Sequence, residues 1–294
     1  MPRTLDKGRL GHIPLQRRLI GLVQLIHPWP VLMVMLTTAG VALLASRGNF
    51  QADRFGLVLL GMLGGQVAIG ALNEWRDRET DARVQPKKPI PAGLVSPRLA
   101  LALVVVGVVT MAASGALLGQ TSLLVLALGT GWGLAYDLWF KRTPLSWLPY
   151  LAALPLLPTW VWLSLDGFEP MLLWLYPLGA VLTLALHLAQ SLPDIQGDQA
   201  AGGRGSAVVL GRRHSLAVVW AAGFGSAGLV GLGALLVGRQ PLPGVAAALA
   251  SGLLMAAALA LGRRRPGWLD QHLFKVLAGC GGLLAVGWVA AVVA

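Results

Sequence analysis

Charge is scarce in this chain. Only 12% of its 294 residues are Asp, Glu, Lys or Arg, about half the fraction of an ordinary soluble domain. Mean hydropathy is +0.70. Cysteine is scarcer still: Cys280 stands alone, which excludes an internal disulfide framework and a cysteine-built metal site. It reads as a small apolar residue of the last helix. Long polar stretches are lacking too. Apolar runs of about 20 residues, the length that crosses a bilayer, recur from end to end. The chain therefore reads as a single all-α, polytopic transmembrane domain over 1–294, with no soluble domain. No stretch looks like a cleavable signal peptide, because the first 18 residues are basic and polar and the first apolar run is full length.

Acidic residues are outnumbered, 12 against 23 Lys and Arg, for a net charge of +11. That excess does not argue for nucleic acid, because the basic residues sit in short segments between apolar spans. Such an arrangement is a topology signal, and a basic face also attracts lipid headgroups or an anionic substrate. Hydropathy and helix breakers predict nine spans, at 19–46, 55–73, 97–117, 120–138, 146–165, 170–192, 215–237, 241–262 and 272–293. A kink is expected at HPWP, 27–30, since proline removes a backbone donor. With the N-terminus cytoplasmic, every Lys and Arg except Arg47, Arg54 and Arg239 falls on or beside the inside segments 1–18, 74–96, 139–145, 193–214 and 263–271. The asymmetry predicts an inside N-terminus.

Two of those inside segments hold carboxylates at a repeating spacing. In NEWRDRETDARVQPKKPIPAG, 73–93, Asn73, Asp77 and Asp81 lie four apart. Residues at i and i+4 share one helix face, so a helix continuing to 81 carries them as one stripe of oxygen donors. In SLPDIQGDQAAGGRGSAVVLG, 191–211, Asp194 and Asp198 repeat the spacing. Facing carboxylate pairs repel and call for cations, and hard oxygen donors select Mg²⁺ over soft metals. Mg²⁺ is commonly shared between one or two carboxylates and substrate phosphates. Ionisable groups at membrane depth are costly and tend to be functional. Glu74 and Glu79 fall off the stripe and read as surface charges. His27, beside Pro28, and His187 read as membrane histidines with structural partners.

NEWRDRETD resembles the first aspartate-rich motif of UbiA-type intramembrane prenyltransferases, N-x-x-x-D-x-x-x-D. DIQGD resembles their second, followed by the glycine-, arginine- and serine-bearing run GGRGSAVVLG, 202–211. AYDLWFKRTP, 135–144, is similar to the tyrosine-to-lysine element after their fourth span. The likeness covers nearly the whole chain. It departs from many members in carrying Glu74 after Asn73, and SLP before Asp194.

The resemblance implies about nine helices around a central cavity, with two aspartate-rich cytoplasmic loops at 73–96 and 193–213. It implies transfer of a prenyl group from an isoprenyl diphosphate to a hydrophobic acceptor within the membrane. Two Mg²⁺ ions would bridge the diphosphate, one held by Asn73, Asp77 and Asp81, the other by Asp194 and Asp198. Lys141 and Arg204 are the expected diphosphate contacts. Tyr136 is expected to stabilise the allylic cation through its ring. Arg76, Arg83, Lys87, Lys88 and Arg142 read as helpers or as topology charges.

For the acceptor, DARVQPKKPIPAG resembles the pattern of chlorophyll-synthase-like, homogentisate-type and archaeal lipid enzymes, whereas YDLWFKRTP is like the central loop of haem farnesyltransferases. An aromatic or quinone-precursor acceptor is the expectation, with chlorophyllide-like, haem and glycerol-phosphate lipid acceptors as alternatives. A UbiA-like terpene cyclase would use the same ions without an acceptor. An ion-coupled transporter fits less well, since the acids lie at one rim rather than at the midplane.

Overall fold

The computed structural model describes residues 14–200 and 202–293. Arg3, Lys7 and Arg9, counted above among the inside basic residues, lie outside the described residues. All regular elements among the described residues are helical. Among the described residues, nine helical segments are long and apolar enough to cross a membrane.

The first apolar run is broken rather than kinked. Helix α1 (Leu15–Leu25) ends before His27, whose φ of 54° lies in the left-handed region, and α2 (Pro28–Ala45) begins at the following proline. Of this pair only α2 qualifies as a span. A Cβ on Gly21 would meet Leu94 Cβ at 2.7 Å, so α1 rests on the turns after the first motif, while Leu15, Leu19 and Val23 remain exposed.

Helix α3 (Ala52–Val84) runs 33 residues, about 50 Å at 1.5 Å per residue against a hydrocarbon core of about 30 Å. Its last turns must therefore project beyond the core. This corrects the expected first loop at 73–96. Neither proline nor glycine interrupts the chain between Gly70 and Pro86, so the helix continues to the residues where Pro86 disfavours it. Only 85–96 lacks helix. The expected second loop, 193–213, is also mostly helical: one 3₁₀ turn (Leu192–Asp194), the short α9 (Ile195–Ala200), and the start of α10 (Ser206–Val237), which kinks at Gly211 with φ 72°.

The remaining spans are α4 (Pro97–Leu118), α5 (Gln120–Ala135) with a π-helical turn at Tyr136–Phe140, the broken pair α6 (Leu148–Ala153) and α7 (Leu156–Leu165), α8 (Leu175–Ser191), α11 (Pro241–Arg264) and α12 (Pro266–Val293). Close backbone approach joins α3 to α4: a Cβ on Gly64 would lie 2.7 Å from Gly107 O. Helix α12 packs against α2, α8 and α11, and α2 in turn against α3 and α7. Trp160 and Trp162 of α7 and Trp288 of α12 are the largest fully buried side chains.

At the rim opposite the motifs, two of the three exceptional arginines have structural work. Arg54 donates from Nη2 to the carbonyl oxygens of Leu118 and Ser164, at the ends of α4 and α7. Arg47 pairs with Asp166 at 3.0 Å and Glu169 at 3.4 Å, and lies over the Trp162 ring.

Candidate active site

The projecting end of α3 carries the first motif. Asp77 and Asp81 are buried on it, while Asn73 is half-buried. The π turn closing α5 lies beside it, with Lys141 N–H donating to Tyr136 O at 2.8 Å across the extra residue. Such turns insert one residue into a helix and commonly mark functional sites. Two rungs in register then join α3 to this turn: Asn73 Nδ2 donates to Asp137 Oδ1 at 2.6 Å, and Lys141 Nζ donates to Asp77 Oδ2. Arg142 adds longer contacts, 3.4 Å to Asp77 Oδ1 and 3.1 Å to Thr80 Oγ1.

Lys88, on the turn after α3, closes the other side. Its Nζ lies 2.9 Å from Asp81 Oδ2 and 3.2 Å from Glu74 Oε1. This corrects the reading of Glu74 as a surface charge: its side chain is 1% exposed, whereas Glu79 is 76% exposed. Glu74 belongs to the site because it faces the strand of chain that folds back at 85–95, not the solvent. His27 Nε2 approaches the same Glu74 oxygen at 3.4 Å, so the strained residue between α1 and α2 sits at the edge of the cluster.

The second motif meets the first through Gln85, whose amide donates to Asp194 Oδ1 at 2.9 Å. Asp194 is exposed and Asp198 half-buried, on the segment following α8. Gly203 N–H donates to Asp198 O at 2.8 Å, and Arg204 N–H to Arg142 O at 3.1 Å, which ties the second motif's loop to the lysine turn. The Arg204 side chain is exposed at this rim. Below the lysine turn, Tyr136 packs edge-on to Tyr150 at 5.3 Å and to His187 at 6.0 Å between ring centroids. His187 Nε2 lies 2.9 Å from both Ser146 Oγ and Ser206 Oγ, the structural partners expected of a membrane histidine.

Electrostatics explain the two lysines. Burial disfavours an ammonium, yet the carboxylates of Glu74 and Asp81 outweigh it and hold Lys88 above the ordinary lysine range. Lys141 is raised against the same burial penalty by Asp77, then Asp137. Each ammonium thus neutralises carboxylates that would otherwise repel one another. The donor set suits a hard divalent cation, being oxygen throughout. Among the described residues no three His, Cys, Asp or Glu side chains form a ready cage for a metal. Carboxylates in pairs, with a rim open to substrate, suit an ion that completes its shell with phosphate oxygens.

A family model, the UbiA prenyltransferase family, matches residues 33–278. The chain belongs to this family. It is a prenyltransferase of the UbiA family, built as a multi-pass membrane protein. It is 31% identical over 211 residues to the digeranylgeranylglyceryl phosphate synthase of Natronomonas pharaonis, covering 70% of this chain and 74% of that relative. Among solved structures, an apo UbiA homologue from Aeropyrum pernix K1 is 26% identical with a TM-score of 0.67, over 85% of this chain and 95% of that one. A UbiA homologue from Archaeoglobus fulgidus bound to GPP and Mg²⁺ has the same fold, with a TM-score of 0.69 at 18% identity, over 92% of this chain and 100% of that one.

Sequence reasoning overlooked Asp137, Gln85 and the inward placement of Glu74. One signal was available. Asp137 is the only charged residue between Arg98 and Lys141, and an isolated carboxylate at the end of a membrane span is rarely idle.

Proposed function

We propose that this UbiA-family prenyltransferase catalyses Mg²⁺-dependent transfer of a prenyl group from an isoprenyl diphosphate to a hydrophobic acceptor drawn from the membrane, at the cytoplasmic face. The observation that carries the reading is the Asn73–Asp77–Asp81 stripe, facing Lys88 and Lys141 and linked through Gln85 to Asp194. The homologue bound to GPP and Mg²⁺ supports the same donor class and ion. Asn73, Asp77 and Asp81 are read as one ion's ligands, Asp194 and Asp198 as the other's, and the whole chain as one catalytic domain. Bound Mg²⁺ would supply positive charge against the diphosphate that departs as the allylic C–O bond breaks.

The chain's own residues do the rest. Lys141, paired with Asp77, and Lys88, paired with Asp81 and Glu74, would bring their ammonium groups to phosphate oxygens of the donor. Arg204, exposed on the loop bonded to Arg142, adds a cation at the same edge. The Tyr136 ring would stabilise the allylic cation, since cation–π attraction gains strength as water is excluded. Loss of diphosphate is balanced by a new bond from the acceptor, which releases its proton.

An aromatic or quinone-precursor acceptor is favoured by the Tyr136–Tyr150–His187 cluster, whose rings lie 5.0 to 6.0 Å apart and suit a flat partner. A glycerol-phosphate lipid acceptor is the second reading, favoured by the likeness to the Natronomonas pharaonis synthase. Purified enzyme given labelled geranylgeranyl diphosphate, Mg²⁺ and a panel of both acceptor types should release diphosphate and form a prenylated lipid identified by mass spectrometry. Turnover that survives EDTA, or that survives in both Asp77→Ala and Asp194→Ala, would defeat the proposal. Diphosphate release without an acceptor would point to cyclisation or hydrolysis instead.

A further inference from the structure

Asp137 has no part in the roles given so far, and its surroundings are unusual. It is 4% exposed. One carboxylate oxygen takes the Asn73 amide hydrogen at 2.6 Å, and the other is buried with no hydrogen-bond partner. Burying a carboxylate with an oxygen unpaired costs stability, so the fold retains it against a penalty. The π turn that presents it also sets Lys141 on Asp77, one helical turn along α3 from Asn73.

We propose that Asp137 is a positioning residue for the ion site: it fixes the Asn73 amide so that its carbonyl oxygen, rather than its NH₂, faces the carboxylate stripe. This rests on the reading of Asn73 as an ion ligand. A primary amide is a ligand for a hard cation only through its oxygen, and nothing in an isolated asparagine decides which end faces the ion. A carboxylate partner decides it, because it only accepts and so holds the NH₂ end toward itself. Groups of this kind behind a ligand typically change metal affinity by about 10- to 100-fold when removed.

The test is Mn²⁺ binding to the full-length protein in detergent with inorganic pyrophosphate, read by electron paramagnetic resonance, which does not depend on turnover. Asp137→Ala should weaken Mn²⁺ binding about tenfold, as should Asn73→Ala. The exchange Asn73→Asp with Asp137→Asn reverses donor and acceptor while keeping the hydrogen bond, and should bind Mn²⁺ within about threefold of the unmodified protein. It also serves where Asp137→Ala fails to fold, since it keeps the rung between α3 and the π turn. Unchanged affinity in Asp137→Ala beside a loss in Asn73→Ala would overturn the positioning role, as would an exchange variant as weak as Asn73→Ala. Unchanged affinity in both Asn73→Ala and Asp77→Ala would instead overturn the ion-site reading beneath it.

Discussion

At the rim away from the motifs, Arg54 answers the carbonyls of Leu118 and Ser164, and Arg47 answers Asp166 and Glu169. At the motif rim, Lys88 is shared between Glu74 and Asp81, while Asp137 and Glu74 each keep a buried oxygen without a partner. Both rims are stitched by long-range polar contacts, but only one leaves acceptors over. An arginine that finishes off two helix ends closes a structure. Carboxylates in excess of their bonds leave room for further positive charge, and that difference separates a clasp from a site. A substitution at the motif rim should therefore cost activity far more than stability, and one at the opposite rim the reverse.

Asp77→Asn should give the largest effect. It removes a proposed ion ligand and the carboxylate that holds Lys141, and losing transition-state charge stabilisation of this kind costs about 10² to 10³ in turnover per group. We expect a fall of about a thousandfold in prenyl transfer per folded molecule, measured with labelled prenyl diphosphate after size-exclusion chromatography. A fall below about tenfold would erase the contrast between the rims.

Lys88→Met comes next. It leaves Glu74, 1% exposed, without its 3.2 Å partner and Asp81 without its 2.9 Å partner. We expect the KM for the prenyl diphosphate to rise about tenfold, the range for one lost charge-assisted contact, with a smaller change in kcat. The pH profile sharpens the same point. Lys88 and Lys141 are both held above the ordinary lysine range of about 10.4. Groups so raised contribute fully below their unfolded pKa, and the contribution is lost only as pH rises through the folded one. The KM should accordingly show no lysine-dependent rise between about pH 7 and pH 9. A rise within that window would mean that the carboxylates do not hold these ammonium groups as the ion pairs indicate.

The opposite rim should respond in stability. Arg54→Ala strips the carbonyls of Leu118 and Ser164 of their donor, and unsatisfied buried acceptors cost about 1–3 kcal/mol each. Thermal unfolding in detergent should occur several degrees lower, with turnover per folded molecule within about twofold of the unmodified protein. If turnover fell with stability, the outer clasp would be coupled to the site.

Much of this arrangement was legible before the structure, for reasons that can be traced. The nine spans follow from run length alone, because a helix in lipid must satisfy its own backbone. The Asn73–Asp77–Asp81 face follows from helical spacing, and the absence of a breaker before Pro86 carries it to the last turn of α3. The inward turn of Glu74 is not legible, because a one-residue offset from the stripe says nothing about chain that folds back over it, and Lys88 arrives from such a return. The break at His27 exceeds the expected kink because proline marks where a helix fails but not how far the chain turns. Asp137 faces Asn73 only through the π turn, an extra residue that no period in the sequence announces.

Arg47 offers the finest discrimination, because two small terms oppose each other there. It is 48% exposed in both of its ion pairs, and exposed pairs contribute about 0–1 kcal/mol each. Its place over Trp162, 5.5 Å from the ring centroid, adds about 0.5–1 kcal/mol. Against these stands a φ of 42°, left-handed backbone that costs a side-chain-bearing residue about 1–2 kcal/mol. Arg47→Gly loses the contacts and relieves the strain, so the unfolding temperature should move by no more than a few degrees. Arg47→Ala loses the contacts and keeps the strain, and should unfold earlier than Arg47→Gly. A glycine variant less stable than the alanine variant would show that the φ of 42° at Arg47 carries no strain.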